Sequence, residues 1–156
     1  MPASLTRSIL LGTLVAGTLD ILAATILSLS FGRGPEAMLR FVASGPFPSA
    51  TEWGVAGSAL GLAVHFALMA ALVAFYVVAA ARTPTLTARP LLWGTLYGLA
   101  TYVVMNLIVV PLRFEDAFPP SPRGIVTQIF CHVVLVGIPT ALIASRYLRR
   151  RSSILP

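Results

Sequence analysis

The chain has 156 residues, of which 57% are hydrophobic and only 10% are charged. Soluble domains carry about a quarter charged residues, so this composition predicts a membrane protein, with residues 1–156 forming a single integral membrane domain. The formal net charge is +6, but all eleven basic residues are Arg and they flank apolar runs. This placement indicates membrane topology and gives no support for a nucleic-acid partner. Cys131, the single cysteine, excludes an internal disulfide and is expected to pack as a small hydrophobe.

Four apolar runs reach or exceed the ~20 residues that a membrane-spanning helix needs. They predict an all-α fold, a four-helix transmembrane bundle with spans near residues 9–31, 55–81, 91–112 and 124–145. The first run is too long for the apolar region of a signal peptide and has no clean cleavage site, so we expect it to be retained. In the second run, Gly57, Gly61 and His65 share one helical face, where small residues let a neighbouring backbone approach closely. Gly94 and Gly98 form a similar packing face in the third run.

The first loop contains a short segment with helical character. Pro35 stands at a plausible first helical position, and the segment 35–44 has Met38, Leu39, Phe41 and Val42 as its apolar positions. We expect a short amphipathic helix on the membrane surface in this outer loop, with an irregular loop as the alternative.

The distribution of Arg residues predicts the orientation of the bundle. The positive-inside rule places the side richer in Arg in the cytoplasm. Seven Arg residues fall on one side of the four runs: Arg7, Arg82, Arg89, Arg146, Arg149, Arg150 and Arg151. Four fall on the other, together with all the loop acids: Arg33, Arg40, Arg113 and Arg123 with Glu36, Glu52, Glu115 and Asp116. We therefore expect both termini to be cytoplasmic.

Each span carries a polar residue that should avoid lipid. An ionisable group within a membrane is expensive and is expected to face the interior of the protein. With ~1.5 Å of rise per residue, four of these residues fall at similar depths in the outer half of the bundle. The predicted buried polar site comprises Asp20, His65, Asn106 and His132, with Tyr102 and Gln128 on the same helical faces.

This cluster permits several interpretations. Its members can be structural, forming hydrogen bonds between helices. Two imidazoles at one depth can be the axial ligands of a haem, as in a bis-His redox protein. Asp20, His65 and His132 can bind a divalent metal. Without either cofactor, which is the default, an Asp–His pair in a low dielectric is a plausible proton relay. No spacing motif decides between them, and no nucleophile elbow or phosphate loop supports an enzyme.

Several short stretches resemble those of small, uncharacterised bacterial four-span membrane proteins. The resemblance extends more distantly to the YagU-like inner-membrane proteins. It is carried by Thr18–Ile21, Gly61–Phe66, Tyr97–Gly98 with Met105–Asn106 and Pro111–Leu112, and His132 with Gly137–Pro139. It implies a multi-pass protein of the bacterial inner membrane with the same four-span layout. No established activity comes with it, so it assigns no role to the polar residues.

Two classes of function follow from the sequence. The first is a polytopic membrane protein whose buried polar cluster binds or transports a proton, a metal or a small ligand. The second is a structural or accessory subunit with no site of its own, acting in a homo-oligomer or a membrane complex. In either class the bilayer is the main partner. We expect the polar faces to point into the bundle and Asp20 to approach His65, because consecutive helices usually pack side by side.

Overall fold

The computed structural model describes residues 3–114 and 119–152. Within these residues all regular structure is helical, and four helices are long and apolar enough to cross a membrane, so the all-α four-helix prediction is confirmed. The first span is α1 (Ala3–Ser30) and the second is α3 (Gly54–Arg82). The third contains α5 (Pro90–Val104) and α6 (Val110–Arg113), and the fourth contains α7 (Pro122–Phe130) and α8 (Ile138–Ser152). Glu115 and Asp116, used in the charge count, lie outside the described residues.

Short helices connect the spans, and prolines mark where helices begin. The first loop contains α2 (Pro35–Ser44) and a 3₁₀ turn (Pro48–Glu52), and α4 (Pro84–Ala88) joins the second span to the third. Like α5 and α7, each of these three short segments has a proline in its first turn, where the missing amide hydrogen costs no intrahelical bond. The predicted helix at 35–44 is confirmed with the expected boundaries.

The third and fourth spans each contain a π-helical segment. These are π1 (Met105–Val109) between α5 and α6, and π2 (Cys131–Gly137) between α7 and α8. Each is followed two residues later by a proline within the span, Pro111 and Pro139. A proline inside a helix has no backbone N–H to donate, and its ring clashes with the carbonyl group one turn earlier. A wider helical turn at that point relieves this steric clash. The distortion of the fourth span before Pro139 therefore takes the form of a π-helix.

Close backbone packing joins the third span to the fourth. α5 packs along π2 and α8, whereas α1 packs against α3, α8 and π2. A Cβ atom added at Gly137 would collide with the carbonyl oxygen of Gly94, and one added at Gly98 would collide with the backbone of His132. Only glycine permits these approaches, which is the role that the sequence predicted for the Gly94 and Gly98 face.

The two ends of the bundle differ. We call the end that carries the start of α1, the end of α8 and α4 the terminal end. There Ser145 of α8 donates a hydrogen bond of 2.8 Å to the carbonyl of Thr87 in α4. The opposite end carries α2 and is called the α2 end. There α2 packs along the first part of α3. The face of α3 that contains Gly57 and Gly61 packs against this short helix, since a Cβ atom at Gly61 would collide with the backbone of Leu39.

The first and fourth spans separate towards the α2 end. α1 packs extensively on α8 and on π2, but no substantial contact joins it to α7. Because α2 contacts α1 only slightly, a space remains between α1, α2 and α7. This space contains the candidate site described next.

Candidate functional site

Asp20 of α1 faces His65 of α3 in the middle of the bundle. One carboxylate oxygen of Asp20 lies 4.0 Å from Nδ1 of His65. The side chain of His65 is 9% exposed and that of Asp20 is 21% exposed, so the imidazole is shielded while the carboxyl group can be reached. The contact that we expected between consecutive spans is therefore present.

The Nε2 atom of His65 holds the imidazole ring in place through a hydrogen bond to the backbone. Nε2 lies 2.9 Å from the carbonyl oxygen of Gly17, and a carbonyl can only accept, so Nε2 carries a hydrogen and donates it. Nδ1 then either presents a lone pair to a protonated Asp20 or carries a proton towards the Asp20 carboxylate. The pair can thus hold one proton on either partner.

His132 and Asn106 form a second polar pair, between the two π-helical segments. His132 lies in π2 and its Nδ1 donates to the carbonyl oxygen of Gln128 over 2.9 Å. The other nitrogen, Nε2, is therefore an acceptor in the neutral ring, and Nδ2 of Asn106 in π1 approaches it to 3.5 Å. The ring of Tyr102 packs edge-on against the imidazole, with 6.0 Å between the centroids. π-Helical turns often occur at functional sites, and here both carry a polar side chain of the predicted cluster.

Asp20 of the first pair lies near the fourth span, where Gln128 and Cys131 line a common cavity with it. None of the six predicted site residues has a fully exposed side chain: Asp20, His65, Tyr102, Asn106, Gln128 and His132. All six are therefore buried or partly buried, and they include the Asp20–His65 pair and the Asn106–His132 pair.

A cavity of about 690 Å³ opens beside Asp20 towards the α2 end. Its floor is formed by polar or polarisable groups of the first and fourth spans: Asp20, Gln128 and Cys131. Its walls are mostly apolar and come from α1, the turn after it and α2, with Leu27, Phe31, Met38, Phe41 and Val42 among them. A volume of this size suits a small organic molecule.

Two arginines at this cavity were not part of the predicted site. Arg33, in the turn after α1, and Arg40, on α2, both line the cavity. In the sequence, both are loop charges that bear only on the predicted orientation. The sequence gives no signal for their position, because it depends on how α2 folds back onto α3. The hydroxyl groups of Ser28 and Thr51 also line this space.

The described residues contain no group of three or more His, Cys, Asp or Glu side chains that could hold a metal ion. Asp20, His65 and His132 thus do not form a set of metal ligands in this geometry. One nitrogen of each imidazole is hydrogen-bonded to a backbone carbonyl, that of Gly17 for His65 and that of Gln128 for His132. The other nitrogen faces Asp20 in His65 and Asn106 in His132. Metal and haem binding therefore stay predictions from the sequence, without support from this geometry.

The fold and the site define a multi-pass helical membrane protein with a polar centre and a cavity at one end. No protein-family model, curated protein or solved structure matches the chain.

Proposed function

We propose that this protein binds a proton at the Asp20–His65 pair and couples that proton to the binding or transport of a small ligand in the adjoining cavity. The observation that supports this proposal best is the dual position of Asp20, whose carboxyl group both lines the cavity and faces Nδ1 of His65 at 4.0 Å. A cavity ligand and a proton would therefore act on the same carboxyl group.

The chemistry favours a proton that is shared within the pair. An ionised Asp within a bilayer costs several kcal/mol, and either protonation or an imidazolium partner removes that cost. At 4.0 Å the two groups are too far apart for a direct hydrogen bond, so transfer needs a bridging water molecule or a small rotation of the carboxyl group. Because Asp20 is the more exposed partner, it would exchange the proton with the cavity, and His65 would retain it.

Infrared spectroscopy of the protein in liposomes tests this proposal. A carboxylic acid band that titrates with pH should disappear in Asp20→Asn and shift in His65→Gln. Glu52→Gln, which removes an exposed carboxyl group, should leave the band unchanged. The proposal is wrong if no titrating band belongs to Asp20.

The second candidate is the structural or accessory subunit. It is favoured by the hydrogen bond from His65 to Gly17, because this bond joins α1 to α3 and would stabilise the bundle even in a protein without any site. If this candidate is correct, His65→Ala and His132→Ala should chiefly lower the thermal stability. If the proton site is correct, both should abolish proton-dependent activity while folding is largely retained.

The proposal includes a bacterial inner-membrane location with both termini in the cytoplasm, as the resemblance to small four-span proteins and the Arg distribution imply. An absorption spectrum and metal analysis of the purified protein would test the haem and metal alternatives. A Soret band would favour haem.

A further inference from the structure

The cavity beside Asp20 combines a cationic rim with apolar walls. Arg33 and Arg40 both line it, Arg33 exposed and Arg40 half-buried. Among the described residues, neither guanidinium group is paired with a carboxylate or engaged in a side-chain hydrogen bond to the protein. The guanidinium of Arg123 lies 5.5 Å from the ring centre of Phe31, another cavity residue, and adds a third positive charge near the rim.

The walls below this rim would not suit a small hydrophilic anion. Leu27, Met38 and Val42 present apolar surface there, and the carboxyl group of Asp20 at the floor repels a negative charge whenever it is ionised. A ligand that fits this arrangement carries its negative charge at the rim and an apolar portion deeper in the cavity. An anionic amphiphile has this distribution of charge and apolar surface.

The packing of the spans also provides a route for such a ligand. α1 and α7 both contribute to the cavity, through Leu27 and Gln128, yet no substantial contact joins the two helices. A gap between two membrane-spanning helices faces the acyl chains of the bilayer. A lipid can therefore enter from the side, with its chains remaining in the gap and its phosphate at the level of the arginines.

We propose that this cavity is a binding site for an anionic phospholipid, with Arg33 and Arg40 holding the phosphate and the walls formed by α1 and α2 contacting the first part of the acyl chains. Arginine suits this role because its planar guanidinium donates two hydrogen bonds to one phosphate group. This inference deepens the proposed function by naming the class of ligand, and rests on it only for the use of the cavity as a binding site.

Native mass spectrometry and ligand titration of the purified protein, in an uncharged detergent, test this proposal. The three probes are dihexanoylphosphatidylglycerol, dihexanoylphosphatidylcholine and inorganic phosphate. We expect the anionic lipid to bind about tenfold or more tightly than the zwitterionic one, since each arginine near a headgroup contributes a several-fold preference. Equal binding of the two lipids would overturn the proposal, and so would inorganic phosphate that binds as tightly as the anionic lipid.

Variants locate the site. The double variant Arg33→Gln with Arg40→Gln should lose the preference for the anionic lipid. Arg89→Gln, at an exposed arginine of the terminal end, should keep it. Ala37→Phe should weaken binding by filling the cavity from α2, whereas Ala37→Ser should not. Retention of the preference in the double arginine variant, or undiminished binding by Ala37→Phe, would refute the site.

Asp20→Asn separates this inference from the proposed function. It should remove the titrating carboxyl band and still bind the anionic lipid, because the phosphate contacts are made at the rim. If the double arginine variant loses the preference for the anionic lipid but keeps a normal carboxyl titration, then lipid binding and proton binding depend on different residues.

Discussion

Arg113, at the end of the third span, holds the C-terminal end of α2 through two hydrogen bonds. Its Nε donates to the carbonyl oxygen of Gly45 and one terminal nitrogen donates to that of Ser44, each over 2.8 Å. The last carbonyls of a helix have no partner within the helix, and a guanidinium satisfies them with a favourable charge. The adjacent Phe114 stacks on Phe41 of α2 with 4.6 Å between ring centroids. The third span thereby fixes a helix that belongs to the first loop.

Replacing Arg113 should loosen α2. We expect Arg113→Ala to lower the free energy of unfolding by about 1–3 kcal/mol, because it leaves two carbonyl groups without their charged donor. Thermal unfolding in detergent measures this change. Arg89→Ala is the control, since Arg89 is exposed at the terminal end and should tolerate the substitution. Equal effects of the two variants would show that the Arg113 contacts do not hold α2.

A methyl group at Gly61 should separate α2 from α3. Its Cβ atom would collide with the backbone of Leu39, which cannot rotate away as a side chain can. We expect Gly61→Ala to lower the free energy of unfolding by about 1–3 kcal/mol, as overpacking usually does. Ala63→Val adds bulk at an exposed position of the same helix and should have little effect. If Gly61→Ala is as stable as the wild type, α2 does not pack here as described.

Pro139 should maintain the π-helical turn around His132. Pro139→Ala restores an amide donor to the carbonyl one turn earlier, so we expect π2 to tighten towards an α-helix and the contact between His132 and Asn106 to lengthen. Nitrogen NMR of labelled histidine would detect this change at Nε2 of His132. Pro84→Ala, in the first turn of α4, is the matched control. Unchanged His132 signals in Pro139→Ala would contradict this prediction.

The orientation of the bundle can be tested by cysteine labelling. In a Cys131→Ala background, a cysteine placed at Thr85 should be protected from an impermeant reagent added outside, and one at Ser121 should react. Both positions are exposed, and they lie on opposite sides of the third span. The reverse pattern would show that the termini are outside the cytoplasm.

The sequence predicted the helices well because their signals are local. Apolar runs and prolines at helix starts determine each segment without reference to its neighbours. The contact of Asp20 with His65 was also predictable, because both residues lie at similar depths on consecutive spans. Which element packs against each glycine face was not predictable. Gly57 and Gly61 indicated a close neighbour, but only the structure shows that Gly61 faces the short helix α2.

The cavity and the π-helical segments depend on tertiary structure. Arg33 and Arg40 reach the site because α2 folds back against α3, which no spacing in the sequence indicates. Pro139 lies within the fourth span, and a proline inside a helix indicates a local distortion. Whether a proline produces a kink or a widened turn depends on the packing around it, here the contact between π2 and α5.

The position of α2 also has a consequence for the order of assembly during synthesis. Its contacts with α3 join residues close in the chain: the hydroxyl of Ser58 donates to the carbonyl of Glu36, 22 positions away. These contacts can form as soon as the second span has been inserted, because closing a short loop costs little entropy. The bond from Arg113 to Gly45 joins residues 68 positions apart and must await the third span. We therefore expect α2 to dock on the second span first and to be secured only when the third span has been inserted.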